Sequence, residues 1–168
     1  MNKITLSLYV DNTYGVLSRI AGLFSRRGFN IDSLTVAATE DPAYSRMTVV
    51  AKGDEQSLEQ ITKQLGKLED VRDIKILSGE DSVCRELVLV KVEVNEQDRQ
   101  AIIATSDIFR AKIVDVAKDS LMIELTGNQA KIDAFINLLE GFRIREMVRT
   151  GITGLHRGAC DMGEYIED

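Results

Sequence analysis

The sequence predicts an α+β protein built from two tandem βαββαβ domains, and three observations support this prediction. The chain has 168 residues, which is enough for two small domains, and its 44% apolar and 29% charged residues are ordinary for a globular protein. In some short segments the apolar residues alternate with polar ones, as in strands, and in other segments they recur at helical spacing. The resulting order of strands and helices occurs twice, and this order is the ferredoxin-like arrangement.

The first half of the chain contains one complete set of these elements. Alternating apolar residues predict a strand over 4–10 with one buried face. A polar turn follows, and a helical period then runs as far as Gly28, which after two arginines is a natural helix end. The remaining elements are strands over 29–39, 45–52 and 71–77, with a second helix beginning after 53–54.

The second half repeats the order after a linker predicted at 78–82. Its elements are strands over 86–94, 111–117, 120–126 and 143–149, with helices over 96–109 and 129–139. We therefore predict domains at 1–78 and 84–158, followed by a tail at 159–168. The stretch 151–168 contains four glycines and no long apolar pattern, so we expect it to be loose unless a partner orders it.

The predicted sheets leave one face without helices. Both helices of a βαββαβ domain cover the same side of the sheet, so the other side is expected to be bare. A lone sheet needs that face or its edge strand covered. The sequence therefore favours dimerisation.

Charge and hydropathy exclude two classes of partner. The net charge is −6, from 21 basic and 27 acidic side chains, which disfavours nucleic acid. RNA-recognition modules share this strand order, but they need aromatic residues on central strands and a basic face, and the first strand offers only Tyr9. No run approaches the roughly 18 apolar residues that span a bilayer, and the N-terminus lacks a signal-peptide core. We expect a cytoplasmic protein that does not contact membranes.

No combination of residues suggests catalysis or metal binding. His156 is the only histidine, and it lies in a glycine-rich stretch without an indicated acid or nucleophile. Cys84 stands beside Arg85 between the predicted linker and the next predicted strand, and a thiol in this position is more often inert than reactive. Two cysteines make neither a disulfide framework nor a metal cluster. We therefore predict no catalytic residues, no metal and no cofactor in this chain.

The informative segment is the start of the first helix. The first N–H groups of a helix lack intrahelical partners and carry partial positive charge, which suits a carboxylate. Gly15 allows close approach to the backbone, and the carboxamides of Asn12 and Asn30 offer donors and acceptors. An apolar niche could come from Val16, Leu17 and Ile31. These groups match the needs of a zwitterionic amino acid.

Each of these residues also has a purely structural interpretation. Asn12 could cap the helix, a role that asparagine favours. Gly15 could only ease the turn, and Asn30 could only tolerate an unusual dihedral angle after the helix. Residue spacing alone leaves these alternatives open.

The same residues carry a resemblance to a known family. The run DNTYGVLSRI at 11–20 resembles the N-terminal signature of ACT domains. The longer run at 22–50 is similar, more narrowly, to the regulatory (small) subunit of acetohydroxyacid synthase, also called acetolactate synthase. Four further stretches agree with that family, at 58–71, 85–92, 108–116 and 150–158.

The resemblance implies a homodimer whose N-terminal ACT domains pair through edge strands. It implies that valine binds at their interface as a feedback effector, with leucine or isoleucine as further candidates. The implied contacts are Asn12, Gly15, Val16 and Leu17 of one chain, with Asn30 and Ile31 of the other; Tyr14, where ACT domains often have proline, adds bulk near this pocket.

The resemblance also implies a separate partner, the large catalytic subunit, which uses thiamine diphosphate, magnesium (Mg) and a flavin (FAD). The small subunit would activate it and confer inhibition by valine, within branched-chain amino-acid biosynthesis. A free-standing ACT-domain amino-acid sensor without an enzyme partner is the alternative.

Overall fold

The computed structural model describes residues 2–158, and these divide into two compact units. The first contains 2–84 together with 152–158, and the second is Arg85–Gly151. Each unit contains one antiparallel sheet and two helices in βαββαβ order. The predicted α+β fold class is therefore confirmed.

The first and third strands of the first unit lie at the centre of its sheet. Its elements are β1 (Asn2–Asp11), α1 (Val16–Arg26), β2 (Asn30–Ala38), β3 (Tyr44–Gly53), α2 (Glu55–Leu65) and β4 (Val71–Ile76). The sheet order is β2-β3-β1-β4, so β1 and β3 are central while β2 and β4 are edge strands. An edge strand presents unpaired backbone groups, and β2 therefore offers a surface for a further strand.

The core of the first unit follows directly from the apolar periodicity. Leu6 and Leu8 of β1 are fully buried against Ile20 and Phe24 of α1. The α1 residues recur at a spacing of four, which places them on one helix face. This packing fixes where α1 begins relative to the end of β1.

The second unit repeats the architecture. Its elements are β5 (Ser82–Glu93), α3 (Glu96–Ile108), β6 (Lys112–Val116), β7 (Ser120–Gly127), α4 (Gln129–Leu139) and β8 (Ile144–Arg149), with sheet order β6-β7-β5-β8. Strand β5 begins at Ser82 rather than at the predicted residue 86, so Cys84 lies within the strand, and the predicted place of Ser82 in the linker is wrong. Within residues 2–158, no helix is long and apolar enough to cross a membrane.

After the second unit, residues 152–158 return to the first unit. Residues Thr153–His156 form β9, which pairs with β5, and Arg157 N donates to the Asp81 carbonyl at 2.8 Å. The expectation of a loose tail is wrong for these residues, and 152–158 belongs with the first unit although the predicted second domain extended to 158. The predicted tail at 159–168 lies outside the described residues.

The face of the first sheet opposite the helices is buried at its centre. Ser7, Thr48 and Val50 alternate with the core residues, yet each is at most 1% exposed. The returning segment contributes to this cover, because β9 packs against β3 and the Thr35 hydroxyl donates to the carbonyl of Ile152 at 3.5 Å. The expectation of a bare face is therefore wrong for the central strands, whereas the edge β2 remains open.

Candidate functional site

The start of α1 differs from the other helix starts that the structure describes. Helices α2, α3 and α4 are capped by the side chains of Asp54, Asn95 and Asn128. The capping position of α1 is Gly15, which has φ +80° and no side chain to accept from the first turn. The positive φ explains why glycine stands here. The N–H groups of this turn are left to water or to a ligand.

Asn12 lies just beyond β1 and does not cap α1. Its Nδ2 donates to the carbonyl of Pro42 at 2.9 Å, and its backbone N–H donates to the carbonyl of Ala43 at 2.8 Å. These two bonds tie the β1–α1 loop to the turn before β3. The side-chain hydrogen bond is donated by Nδ2, so the Oδ1 oxygen of Asn12 can still accept a hydrogen bond.

Arg19 is the residue of this region that sequence reasoning missed. Its Nε donates to Asp70 at 2.6 Å, and its Nη2 donates to the carbonyl of Tyr14 at 3.3 Å. The hydrogen bond that Arg19 donates to Asp70 raises the pKa of the Arg19 guanidinium above its ordinary value, so the group is charged at every working pH. The available signal was a cation in the first turn of a helix, where the dipole disfavours positive charge.

The three apolar candidates beside Gly15 differ in exposure. Val16 is 4% exposed and belongs to the core. Leu17 is 44% exposed, and Tyr14 is fully exposed. The structure therefore leaves Leu17 and Tyr14, but not the Val16 side chain, open to a ligand.

Asn30 and Ile31 begin the edge strand β2. Asn30 is exposed, and its Nδ2 donates to Asp32 at 2.8 Å. The left-handed backbone position at this corner is Gly28, with φ +72°, so Asn30 is not needed for an unusual dihedral angle. Lys52 bonds to Asp32 at 3.1 Å and, chiefly through this interaction, holds the pKa of Asp32 below its ordinary value. Asp32 is thus an ionised anchor for the Asn30 side chain.

The two groups of candidate residues lie at opposite ends of the sheet. Asn12 bonds to Ala43, whereas Asn30 lies opposite Lys52, nine residues further along the chain. At about 3.3 Å per strand residue, the separation is about 30 Å. One chain therefore brings Asn12, Gly15 and their neighbours together but leaves Asn30 and Ile31 far away.

The residues considered for catalysis are not assembled into a reactive group. His156 lies on β9, where its Nδ1 is 3.4 Å from the carbonyl of Asp81. Among residues 2–158, no three His, Cys, Asp or Glu side chains are placed to hold a metal ion. The chemistry available at the start of α1 is recognition of an anion by N–H groups and a guanidinium.

Comparison with known families gives two matches that together span most of the chain. Residues 6–73 match the AHAS small subunit-like ACT domain, and residues 85–158 match the family described as the small subunit of acetolactate synthase. The two matches correspond to the two sheets.

Individual relatives cover nearly the full length. The chain is 50% identical over 158 residues to a probable acetolactate synthase small subunit of Methanothermobacter thermautotrophicus, covering 94% of each chain. It is 50% identical over 154 residues to the acetolactate synthase small subunit of Haemophilus influenzae, covering 91% of this chain and 94% of the relative. The crystal structure of the small subunit from Thermotoga maritima superposes with a TM-score of 0.87 at 41% identity, covering 95% of this chain and all of that one.

Proposed function

Because the chain belongs to the acetolactate synthase small-subunit family, we propose that it is the non-catalytic regulatory subunit of that synthase in the cytoplasm. It binds the large catalytic subunit, raises its activity and makes it sensitive to valine. The thiamine diphosphate, magnesium and flavin of the reaction belong to the large subunit, and this chain carries no cofactor of its own.

The effector site is formed by two copies of the chain that pair through β2. Antiparallel pairing of two β2 strands places the start of one strand beside the end of the other. In this chain, Ala38 ends β2 opposite Ser45, at the same end of the sheet as Asn12. Asn30 of the partner subunit would therefore arrive at the end of the sheet where α1 begins.

Each part of an amino acid then meets a matching group. The carboxylate meets the uncapped N–H groups at the start of α1, which carry partial positive charge. The ammonium meets the carboxamide oxygens of Asn12 and of Asn30 of the partner subunit. The branched side chain packs against the exposed Leu17 and Tyr14 and against Ile31 of the partner subunit.

Regulation follows if the bound effector favours one state of the complete enzyme. Allostery is a coupling free energy, so valine must bind the inhibited complex more tightly than the active complex. A typical coupling of about 1–3 kcal/mol corresponds to roughly a 5–150-fold difference in affinity. The dimer seam is the element whose shape or rigidity the effector changes.

The separation of Asn12 from Asn30 within one chain is the single observation that carries the two-chain site. The test is calorimetric titration of the purified chain with valine, leucine and isoleucine, with D-valine as control and light scattering for mass. Stimulation of the large subunit is measured in parallel and separates this function from a free-standing sensor. A monomer that ignores all three amino acids at millimolar concentration and fails to stimulate the synthase would refute the proposal.

A further inference from the structure

Arg19 is a cation at the end of α1 where positive charge is least favourable. Its backbone N–H donates to the Gly15 carbonyl at 2.9 Å in the first turn of the helix. The N-terminal end of a helix carries partial positive charge, so a cation there needs a compensating anion. Asp70 supplies one anion, at 2.6 Å from Nε.

Asp70 uses only part of the hydrogen-bonding capacity of Arg19. A guanidinium has five N–H donors in a planar fork, and in this structure Nε and Nη2 are the atoms that donate. Nη1 donates to no residue between 2 and 158 and lies 2.8 Å from the place that a Cβ on Gly15 would occupy. The uncommitted end of the fork therefore lies beside the glycine that leaves the helix start accessible.

We propose that the Arg19 guanidinium pairs with the effector's carboxylate, and that Asp70 competes with this carboxylate for the guanidinium. This inference rests on the proposed function, which it deepens by naming the residue that selects for a free carboxylate. A carboxylate that reaches the first N–H groups of α1 past Gly15 comes within reach of Nη1. Charge-assisted hydrogen bonds of this kind are the strong ones, and a planar fork suits a carboxylate.

A purely structural role for Arg19 makes the opposite prediction for its partner. If the Arg19–Asp70 ion pair only holds α1 against the segment before β4, removing Arg19 and removing Asp70 should weaken valine binding by similar amounts. If Arg19 binds the carboxylate, removing the charge of Asp70 frees the guanidinium and maintains or increases affinity. The change in valine affinity on removing the charge of Asp70 therefore distinguishes the two roles of Arg19. A structural role predicts a decrease, and contact with the ligand predicts no decrease.

The experiment is a titration of the full-length chain with L-valine and with L-valinamide, which lacks the carboxylate. In Arg19→Gln, the Kd for valine should rise about tenfold or more, whereas the Kd for valinamide should change less than about twofold. Arg19→Lys should restore part of the preference for valine, because it keeps the charge and loses the fork. Asp70→Asn should bind valine as tightly as the wild type or more tightly.

Arg72→Gln is the matched control, because Arg72 forms a similar exposed ion pair with Asp11, at 2.8 Å, in the same unit. Its ratio of valine to valinamide affinity should equal that of the wild type. An unchanged ratio in Arg19→Gln, or equal weakening in Arg19→Gln and Asp70→Asn, overturns this inference while the proposed function stands. A wild-type chain that binds none of the three branched-chain amino acids overturns both.

Discussion

Replacing Gly15 by Asp should abolish valine binding while activation of the large subunit is retained. The new carboxylate would stand where the carboxylate of the effector is proposed to bind, beside the start of α1. A Cβ on Gly15 would lie 2.8 Å from Nη1 of Arg19, and this atom is at the end of a flexible side chain. Arg19 can therefore move slightly and pair with the new carboxylate instead of a ligand.

The expected magnitudes favour loss of binding over unfolding. Gly15 has φ +80°, and placing an L-residue in this region costs about 1–2 kcal/mol, with Asp among the better tolerated residues. That cost is small beside the about 5–15 kcal/mol that stabilises a typical domain. Losing two charge-assisted hydrogen bonds at about 1.5 kcal/mol each would raise the Kd for valine about a hundredfold.

The assay combines calorimetry with stimulation of the large subunit. Two control variants separate the effect of the charge from the effects of side-chain size and position. Gly15→Asn has the same size and tolerates the same backbone angle, but it carries no charge, so it should retain part of the affinity. Gly158→Asp places the same side chain at φ +74°, where no atom of residues 2–156 lies within 4 Å of the new Cβ, and it should bind valine normally. If Gly15→Asp binds valine within about twofold of the wild type, Gly15 is not part of the site.

Four further variants test the dimer, the partner's contribution to the site and the stability of the first unit. Asn30→Ala should raise the Kd for valine at least about tenfold, because it removes an acceptor for the ammonium; calorimetry within about twofold of the wild type would make Asn30 a structural corner only. Val36→Lys should give monomers that bind no valine, because a charge on an edge strand opposes pairing, and a dimer by light scattering would contradict this. Gly154→Ala should lower the Tm, since its Cβ would lie 2.5 Å from Sγ of Cys84 and overpacking costs about 1–3 kcal/mol; an unchanged Tm would show that β9 shifts without cost. Ser57 hydrogen bonds to Asp54 and lowers its pKa, so the wild type's stability relative to Asp54→Asn should be greatest above about pH 4 and fall as the pH drops through the folded-state pKa; thermal unfolding with a constant difference would exclude this titration.

The βαββαβ elements of both units could be predicted because each has a local sequence signal. Ile20 and Phe24 share a face with Val16 at helical spacing, and the alternation of Leu6 and Leu8 marks a half-buried strand. The charged or carboxamide residues that cap α2, α3 and α4 are likewise local signals. Patterns of this kind depend only on neighbours within a few residues.

The features that escaped prediction depend on distant partners. Strand β9 has four residues, including Gly154, and it pairs with a strand that begins some seventy residues earlier. The Arg19 guanidinium is held beside Gly15 by a hydrogen bond to Asp70, which is 51 residues away. Because periodicity carries no information on such pairings, neither the covered sheet face nor the guanidinium beside Gly15 could be read from spacing.

The proposed division of the site between two chains would couple binding of the effector to association of the subunits. Asn12 and Asn30 lie about 30 Å apart along one sheet, so a monomer would offer only half of the proposed contacts. Whatever factor dimerisation adds to the affinity for valine, valine must add to the affinity of the dimer, because coupling free energies are reciprocal. In the proposed dimer, the open edge of β2 would therefore serve both assembly of the two subunits and binding of the effector.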